Sequence, residues 1–222
     1  MFNGISRSYD TLNRIITLGV DVLWRKRVVR EIQKHKHDVL LDIATGTGDL
    51  VIALSKLKTK KIIGLDISPG MLEIGKQKVK AEGLDQRIDM QLGDSEALAY
   101  DDNTFDGVTI AFGVRNFEHL DLGLQEICRV LKPQGTLVIL ETAVPQNPIL
   151  KSLYSFYTQK VMPFIGKMFS KNRTAYQYLS DSAATFPCGK AFHNILKKNG
   201  FISIEDFPQT LGVASIYVGK KP

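Results

Sequence analysis

Apolar residues in this chain cluster into short buried runs separated by amphipathic stretches, the alternation expected of strand–helix–strand units around a parallel sheet. Val39 to Ile43 reads as a first buried strand. The glycine turn Ala44-Thr45-Gly46-Thr47-Gly48 follows it and leads into a helix reaching about Leu57. Lys61 to Asp66 is a second strand, and Ser68-Pro69 opens a helix with apolar positions Met71, Leu72, Ile74 and Val79. Ile88 to Leu92, Gly107 to Phe112 and Thr136 to Glu141 supply three further strands. Between the last two, Leu122 to Leu131 is a helix ended by Lys132-Pro133-Gln134-Gly135. A final helix, Lys190 to Asn199, precedes strands over Phe201–Phe207 and Ala214–Gly219. Seven strands, mostly parallel, with helices on both faces form the predicted α/β fold.

One segment breaks the rhythm. From Pro145 to Pro187 the pattern turns helical and greasy, with Leu150, Leu153, Tyr154, Phe156, Tyr157, Val161, Met162, Phe164, Ile165, Met168 and Phe169. Two readings fit it: extra packing over the sheet, or a lid over an apolar substrate. The whole chain then reads as one domain. Residues 1–36 form an N-terminal helical flap, 37–144 the cofactor-binding core, 145–187 the lid insertion, and 188–222 the last helix and strands.

Composition narrows the setting. At 222 residues and 44% hydrophobic, the chain is ordinary for one globular domain. It has no apolar run near the roughly 20 residues of a membrane-spanning helix and no signal-peptide pattern. Cys128 and Cys188 are too few for a metal cluster or a disulfide scaffold, and His35 and His37 diverge on a helix, so no metal is expected. A reducing cytoplasm is the expected location. The formal charge is +6, with Arg7, Arg14, Arg25, Lys26, Arg27, Arg30, Lys34 and Lys36 crowded into the first 36 positions. Such a face suits an anionic membrane surface or is simply solvated. Nucleic acid is not expected, because no Asn-Pro-Pro-Tyr-like motif accompanies the charge.

The candidate chemistry lies at the strand ends. Gly46 and Gly48 let the backbone turn tightly against a ligand at the carboxyl end of the first strand. This is not the dinucleotide fingerprint, since Val51 stands where its third glycine belongs. Asp66 ends the second strand, where a carboxylate can accept both ribose hydroxyls of an adenine nucleoside, as in NAD and S-adenosylmethionine enzymes. Asp94 and Ser95 follow the third strand and suit the adenine. Asp42, just before the glycine turn, suits a methionine amino group. An acidic ring of this kind favours a sulfonium cofactor over a pyrophosphate.

Most of the chain resembles the ubiquinone/menaquinone biosynthesis C-methyltransferases. The resemblance runs through Tyr9-Asp10-Thr11-Leu12-Asn13, Leu18-Gly19, Trp24-Arg25, Phe112-Gly113-Val114-Arg115-Asn116, and Arg129 to Gly135 through Glu141. It continues in Ser155-Phe156-Tyr157, Pro163, Gly166, Tyr176 to Leu179 and Phe186-Pro187. It implies a class I Rossmann-like methyltransferase fold, S-adenosylmethionine as cofactor, and cofactor contacts at Thr47, Asp66, Asp94 and Ser95. Asp21, Ala111, Gln134 and Tyr217 depart from residues common in the family (histidine, serine, glycine and histidine).

The resemblance also implies methylation of a polyprenyl quinol ring carbon, demethylmenaquinol first and 2-polyprenyl-6-methoxy-1,4-benzoquinol as the alternative. Arg115 and Asn116 are then placed near the ring, and Tyr9 and Asp10 in a flap over it. Arg115 suits either a developing phenolate or a structural salt bridge with Asp10 or Glu141. Transient contact with the inner face of a membrane follows from the greasy substrate. Monomer and homodimer are both left open. Two other classes share Asp66, an NAD-dependent oxidoreductase and an inactive nucleotide-binding protein, and the missing third glycine and the intact cofactor loop weigh against them.

Overall fold

Successive side chains of a strand point to opposite faces, so a strand covered on both sides must be apolar at every position. In β1 (Val39–Ile43) Leu40 faces one way and Leu41 and Ile43 the other, all fully buried. The computed structural model describes residues 13–161, 182–183 and 185–222, the side chains of residues 159 and 160 excepted. It places β1 third in a seven-stranded sheet, paired on both sides. The other strands are β2 (Lys61–Asp66), β3 (Ile88–Leu92), β4 (Phe105–Ala111), β5 (Leu131–Thr142), β6 (Ile202–Gln209) and β7 (Ala214–Lys220). Their order is β3-β2-β1-β4-β5-β7-β6, and only β7 runs antiparallel to its two neighbours.

The helices divide between the faces. On one, α1 (Asp21–Gln33), α2 (Asp49–Leu54) and α3 (Pro69–Ala81) bury Val28, Ile32, Val51, Leu54 and Leu72 against Leu40, Ile62, Val138 and Ile216. On the other, α4 (Leu120–Val130) and α6 (Lys190–Lys198) bury Leu124, Ile127, Phe192 and Leu196 against Leu41, Ile63, Val108 and Ile139. Each fully buried aliphatic side chain contributes roughly 1.5–3 kcal/mol, so the two layers hold the strand ends rigidly in place.

Local signals set several boundaries. Ser68 caps α3, its hydroxyl accepting the Met71 N–H at 3.3 Å, with Pro69 in the first turn. Asn147 caps α5 (Pro148–Phe156) in the same way, its side-chain oxygen accepting the N–H groups of Ile149 and Leu150. A π-turn over Tyr157–Val161 extends α5. The greasy stretch beyond Val161 lies outside the described residues, and with it about half of the predicted lid.

Several boundaries depart from the sequence reading. Helix α2 stops at Leu54, short of Leu57. Strand β4 spans Phe105 to Ala111, and Phe112 has already left the sheet with φ +58°. Strand β5 begins at Leu131, directly after α4: Phe105 pairs with Leu131 and Gly107 with Thr136, so Lys132–Gly135 bulge out of the ladder instead of forming a separate turn. Gln134 sits in that bulge at φ +62°, a left-handed conformation that explains why glycine suits this position.

The strand order reverses between β1 and β4. Helices and loops leaving these two strands diverge to opposite sides and open a crevice at their carboxyl ends.

Candidate active site

The glycine turn crosses this crevice. Ala44, Gly46 and Gly48 all have positive φ, at +52°, +57° and +83°. Gly113, after β4, packs so tightly on the turn that a Cβ there would lie 2.4 Å from the Ala44 Cβ.

Asp66 fastens the turn from the side. Its Oδ2 accepts the Gly46 N–H at 2.7 Å and its Oδ1 the Ser68 N–H at 2.8 Å. An ionised carboxylate has about four acceptor positions, so capacity remains for a pair of hydroxyls. Burial pushes its pKa upward and the backbone N–H bonds oppose that.

Asp42 lies deeper and is fully buried. It accepts the hydroxyls of Thr45 and Thr109, each at 2.6 Å. Burial dominates and pushes its pKa up to about 7, against those two bonds and the charge of Arg25. The folded chain therefore keeps a proton that the unfolded chain releases from about pH 4 upward, and this group's contribution to stability falls as pH rises towards 7. A ligand ammonium beside Asp42 favours the charged form instead. Binding of S-adenosylhomocysteine is expected to release a proton near pH 7 and to tighten from pH 6 to pH 8. Calorimetry in buffers of different ionisation enthalpy checks this, and proton uptake or no exchange would remove Asp42 from the amino-group role.

Asp49 opens α2 within a cluster of cations. Lys78 Nζ lies 2.7 Å from its Oδ1, and Arg14 and Arg25 approach its Oδ2 at 3.6 and 4.0 Å. Burial raises its pKa, but Lys78 above all, then Arg25 and Arg14, bring it below the usual value. Lys78 also donates to the Thr47 hydroxyl at 3.2 Å. On the far side Asp94 is exposed, its Oδ1 accepting the Glu96 N–H at 2.9 Å.

These residues line a cavity of about 240 Å³. It brings together Asp42, Gly46, Thr47, Asp66, Asp94, Ser95 and Asn116 from the predicted site, while Gly48 caps α2 and does not line the cavity. Asp49, Glu96 and Glu118 add to the acidic wall, and among the described residues Arg25 is its only lysine or arginine. Asn116 Oδ1 is buried and has no hydrogen-bond partner among the described residues. An acidic wall with an unpartnered acceptor fits a cationic nucleoside such as S-adenosylmethionine.

A second cavity, about 440 Å³, opens alongside and shares Arg25 and Phe112 with the first. Ile16, Val20, Trp24, Leu150, Leu153, Tyr154, Tyr157 and Val213 make it apolar. Arg115 belongs to this cavity, where its guanidinium pairs with Glu141; the two side chains are 6% and 0% exposed. Tyr9 and Asp10 lie outside the described residues. Sequence reasoning missed Arg25 and Phe112 as the partition between the cavities. The Trp24-Arg25 pair was the available signal, but nothing in its spacing brings α1 to the glycine turn. Cys188 and His193 line neither cavity, and His193 pairs with Asp206 at 3.0 Å.

Residues 1–221 match the model of the ubiE/COQ5 methyltransferase family. The chain belongs to that family. A demethylmenaquinone methyltransferase of Bacteroides fragilis is 40% identical over all of this chain and 91% of its own length. The ubiquinone/menaquinone biosynthesis C-methyltransferase UbiE of Geotalea daltonii is 44% identical, over all of this chain and 94% of its own. Among solved structures, a SAM-dependent methyltransferase of Thermotoga maritima, a possible histamine N-methyltransferase, superposes with a TM-score of 0.68 at 18% identity, covering 100% of this chain and 98% of its own. One from Aquifex aeolicus gives 0.65 at 17% identity, covering 89% of each chain. The solved structures share the methyltransferase fold. Family membership sets aside the oxidoreductase alternative, and the seven-stranded fold expected from the sequence is the one observed.

Proposed function

We propose that this methyltransferase transfers a methyl group to a ring carbon of a polyprenyl quinol, with demethylmenaquinol as the acceptor. S-adenosylmethionine is the cofactor, and it supplies an electrophilic methyl group on a sulfonium centre. The observation that carries the reading is the pairing of an acidic cavity with a larger apolar one across a shared wall of Arg25 and Phe112. One accommodates a charged nucleoside and the other a flat greasy ring with its tail. Relatives from Bacteroides fragilis and Chlorobaculum parvum are named for demethylmenaquinone alone, which favours that acceptor over the benzoquinol.

The chain's own residues then have simple tasks. A quinol that loses a phenolic proton becomes nucleophilic at the neighbouring carbon, so the protein must align the partners and exclude water. Asp66, with Asp94 and Ser95, holds the nucleoside, and Asp42 orients the amino group. Arg115, anchored by Glu141, places a positive charge in the wall of the apolar cavity to steady the phenolate. Asn116 offers its buried acceptor at the boundary. The test is methyl transfer from S-adenosylmethionine to demethylmenaquinol and to the benzoquinol, followed by mass analysis. Methylation of demethylmenaquinol is the expected result. An enzyme that binds S-adenosylhomocysteine yet methylates neither quinol would overturn the reading.

The acceptor's tail favours transient contact with a membrane surface on the cytoplasmic side. Among the described residues no helix is long and apolar enough to cross a membrane. Leu18, Leu153 and Leu211 line the apolar cavity yet are 84%, 62% and 74% exposed, with Ile149 and Phe156 exposed on the same helix as Leu153. Such a greasy rim suits a lipid surface, and exposed Lys26 and Arg30 suit anionic headgroups. Because the rim is exposed, replacing Leu153 and Leu211 together by serine is expected to leave the melting temperature unchanged. It should weaken flotation with anionic vesicles and raise the apparent KM for a long-tailed quinol while sparing a tail-free analogue. Equal kinetics for both acceptors, with undiminished flotation, would remove the rim from substrate capture.

A further inference from the structure

S-adenosylmethionine carries a carboxylate as well as two positive groups, and the acidic wall that suits the positive groups repels it. Only one place in the described wall offers the opposite charge. We propose that Arg25 receives the carboxylate at the amino-acid end of the cofactor. This rests on the S-adenosylmethionine reading of the first cavity.

Position supports the assignment. Asp66 and Asp94, at the ends of β2 and β3, mark the nucleoside side of the crevice. Arg25 reaches the cavity from α1, beside Phe112 and Asp49 and close enough to Asp42 for its charge to bear on that carboxyl. Amino and carboxyl groups share one carbon, so a ligand whose ammonium meets Asp42 presents its carboxylate in the same neighbourhood.

Arg25 is also held ready. Asp21, itself buried, pairs with its Nη1, and Asp21 is steadied by the Thr17 hydroxyl at 2.8 Å. The guanidinium lies 6.0 Å from the centre of the Phe112 ring. Both carboxylate contacts run through Nη1, whereas a guanidinium has five N–H donors in a planar fork suited to a carboxylate. Asp49 does not claim the charge for itself, because Lys78 and Arg14 share it. Arg25 lines the apolar cavity as well, so the residue that holds the amino-acid end of the cofactor also shapes the acceptor's wall.

The test uses S-adenosylhomocysteine and its decarboxylated analogue, which differ only in the carboxylate, with affinities measured by calorimetry. Wild-type protein is expected to prefer S-adenosylhomocysteine by about tenfold or more, the scale of a charge-assisted contact. Arg25→Gln should abolish that preference while binding the analogue within about twofold of wild type. Arg25→Lys keeps a charge without the fork and should keep only part of the preference; it also serves if the glutamine variant does not fold. A preference that survives unchanged in either variant, or that is missing from the wild type, overturns the proposal. Failure of the wild type to bind S-adenosylhomocysteine at all would instead remove the cofactor reading beneath it.

Discussion

Replacing Glu141 by alanine is expected to lower the melting temperature by roughly 6–20 °C. Arg115 and Glu141 form a buried ion pair, and breaking such a pair from one side costs about 3–5 kcal/mol. In a domain of this size each kcal/mol moves the midpoint by about 2–4 °C. Glu141 Oε1 also accepts the N–H and hydroxyl of Thr142, so its loss loosens the end of β5 as well. Arg115→Ala should destabilise to a similar degree, but it should differ in turnover. Assayed well below its midpoint, it should lose about 10²–10³-fold in kcat, the scale of a lost transition-state donor, with S-adenosylhomocysteine affinity nearly unchanged. The double change Arg115→Met with Glu141→Leu should be more stable than either single truncation, because both halves of the pair are replaced together by apolar groups. If turnover in Arg115→Ala merely follows the folded fraction, the residue is structural and has no part at the ring.

The second large effect is expected at Asp66. Asp66→Ala should weaken S-adenosylmethionine by about 2–3 kcal/mol through the lost hydroxyl contacts, or roughly 30–150-fold. The structure adds a stability cost, because the Gly46 and Ser68 N–H groups lose their acceptor. Asp66→Asn separates the two effects. Its single carbonyl oxygen can still take one N–H, so its midpoint should fall less than that of the alanine variant, while its affinity should fall nearly as far. Cofactor affinity unchanged in both folded variants would exclude Asp66 from the nucleoside site.

What the sequence disclosed of this site is what lies close together in the chain. The glycine turn, Asp66 and Asp94 are each set by a strand end and the few residues after it, so their spacing carries their geometry. Arg25 was visible as one charge among many and in the Trp24-Arg25 pair, but its place in the site was not, because α1 is brought to the turn by packing Trp24, Val28 and Ile32 on the sheet. Arg115 came with two readings, and its pairing with Glu141 depends on the register of β4 and β5. The start of β5 was misplaced for a local reason: Lys-Pro-Gln-Gly reads as a turn, and here the turn is a bulge inside a continuous strand. Within the greasy segment the helix was read only from its apolar residues, and the Asn147 cap that starts α5 at Pro148 went unread.

The antiparallel strand β7 has a consequence for how the protein is made. It is made after the other six strands, yet it lies inside the sheet, pairing with β5 on one side and β6 on the other. A nascent chain that has completed Thr142 carries β5 with one unpaired edge and the apolar residues Leu137 to Leu140 in tow. That edge waits for residues 214–220, so it stays open to pairing with another chain until they are made. Late, non-local pairing of this kind is also slow. Chains that terminate early, or ribosomes that stall before Ala214, should therefore yield sticky fragments rather than partly active ones.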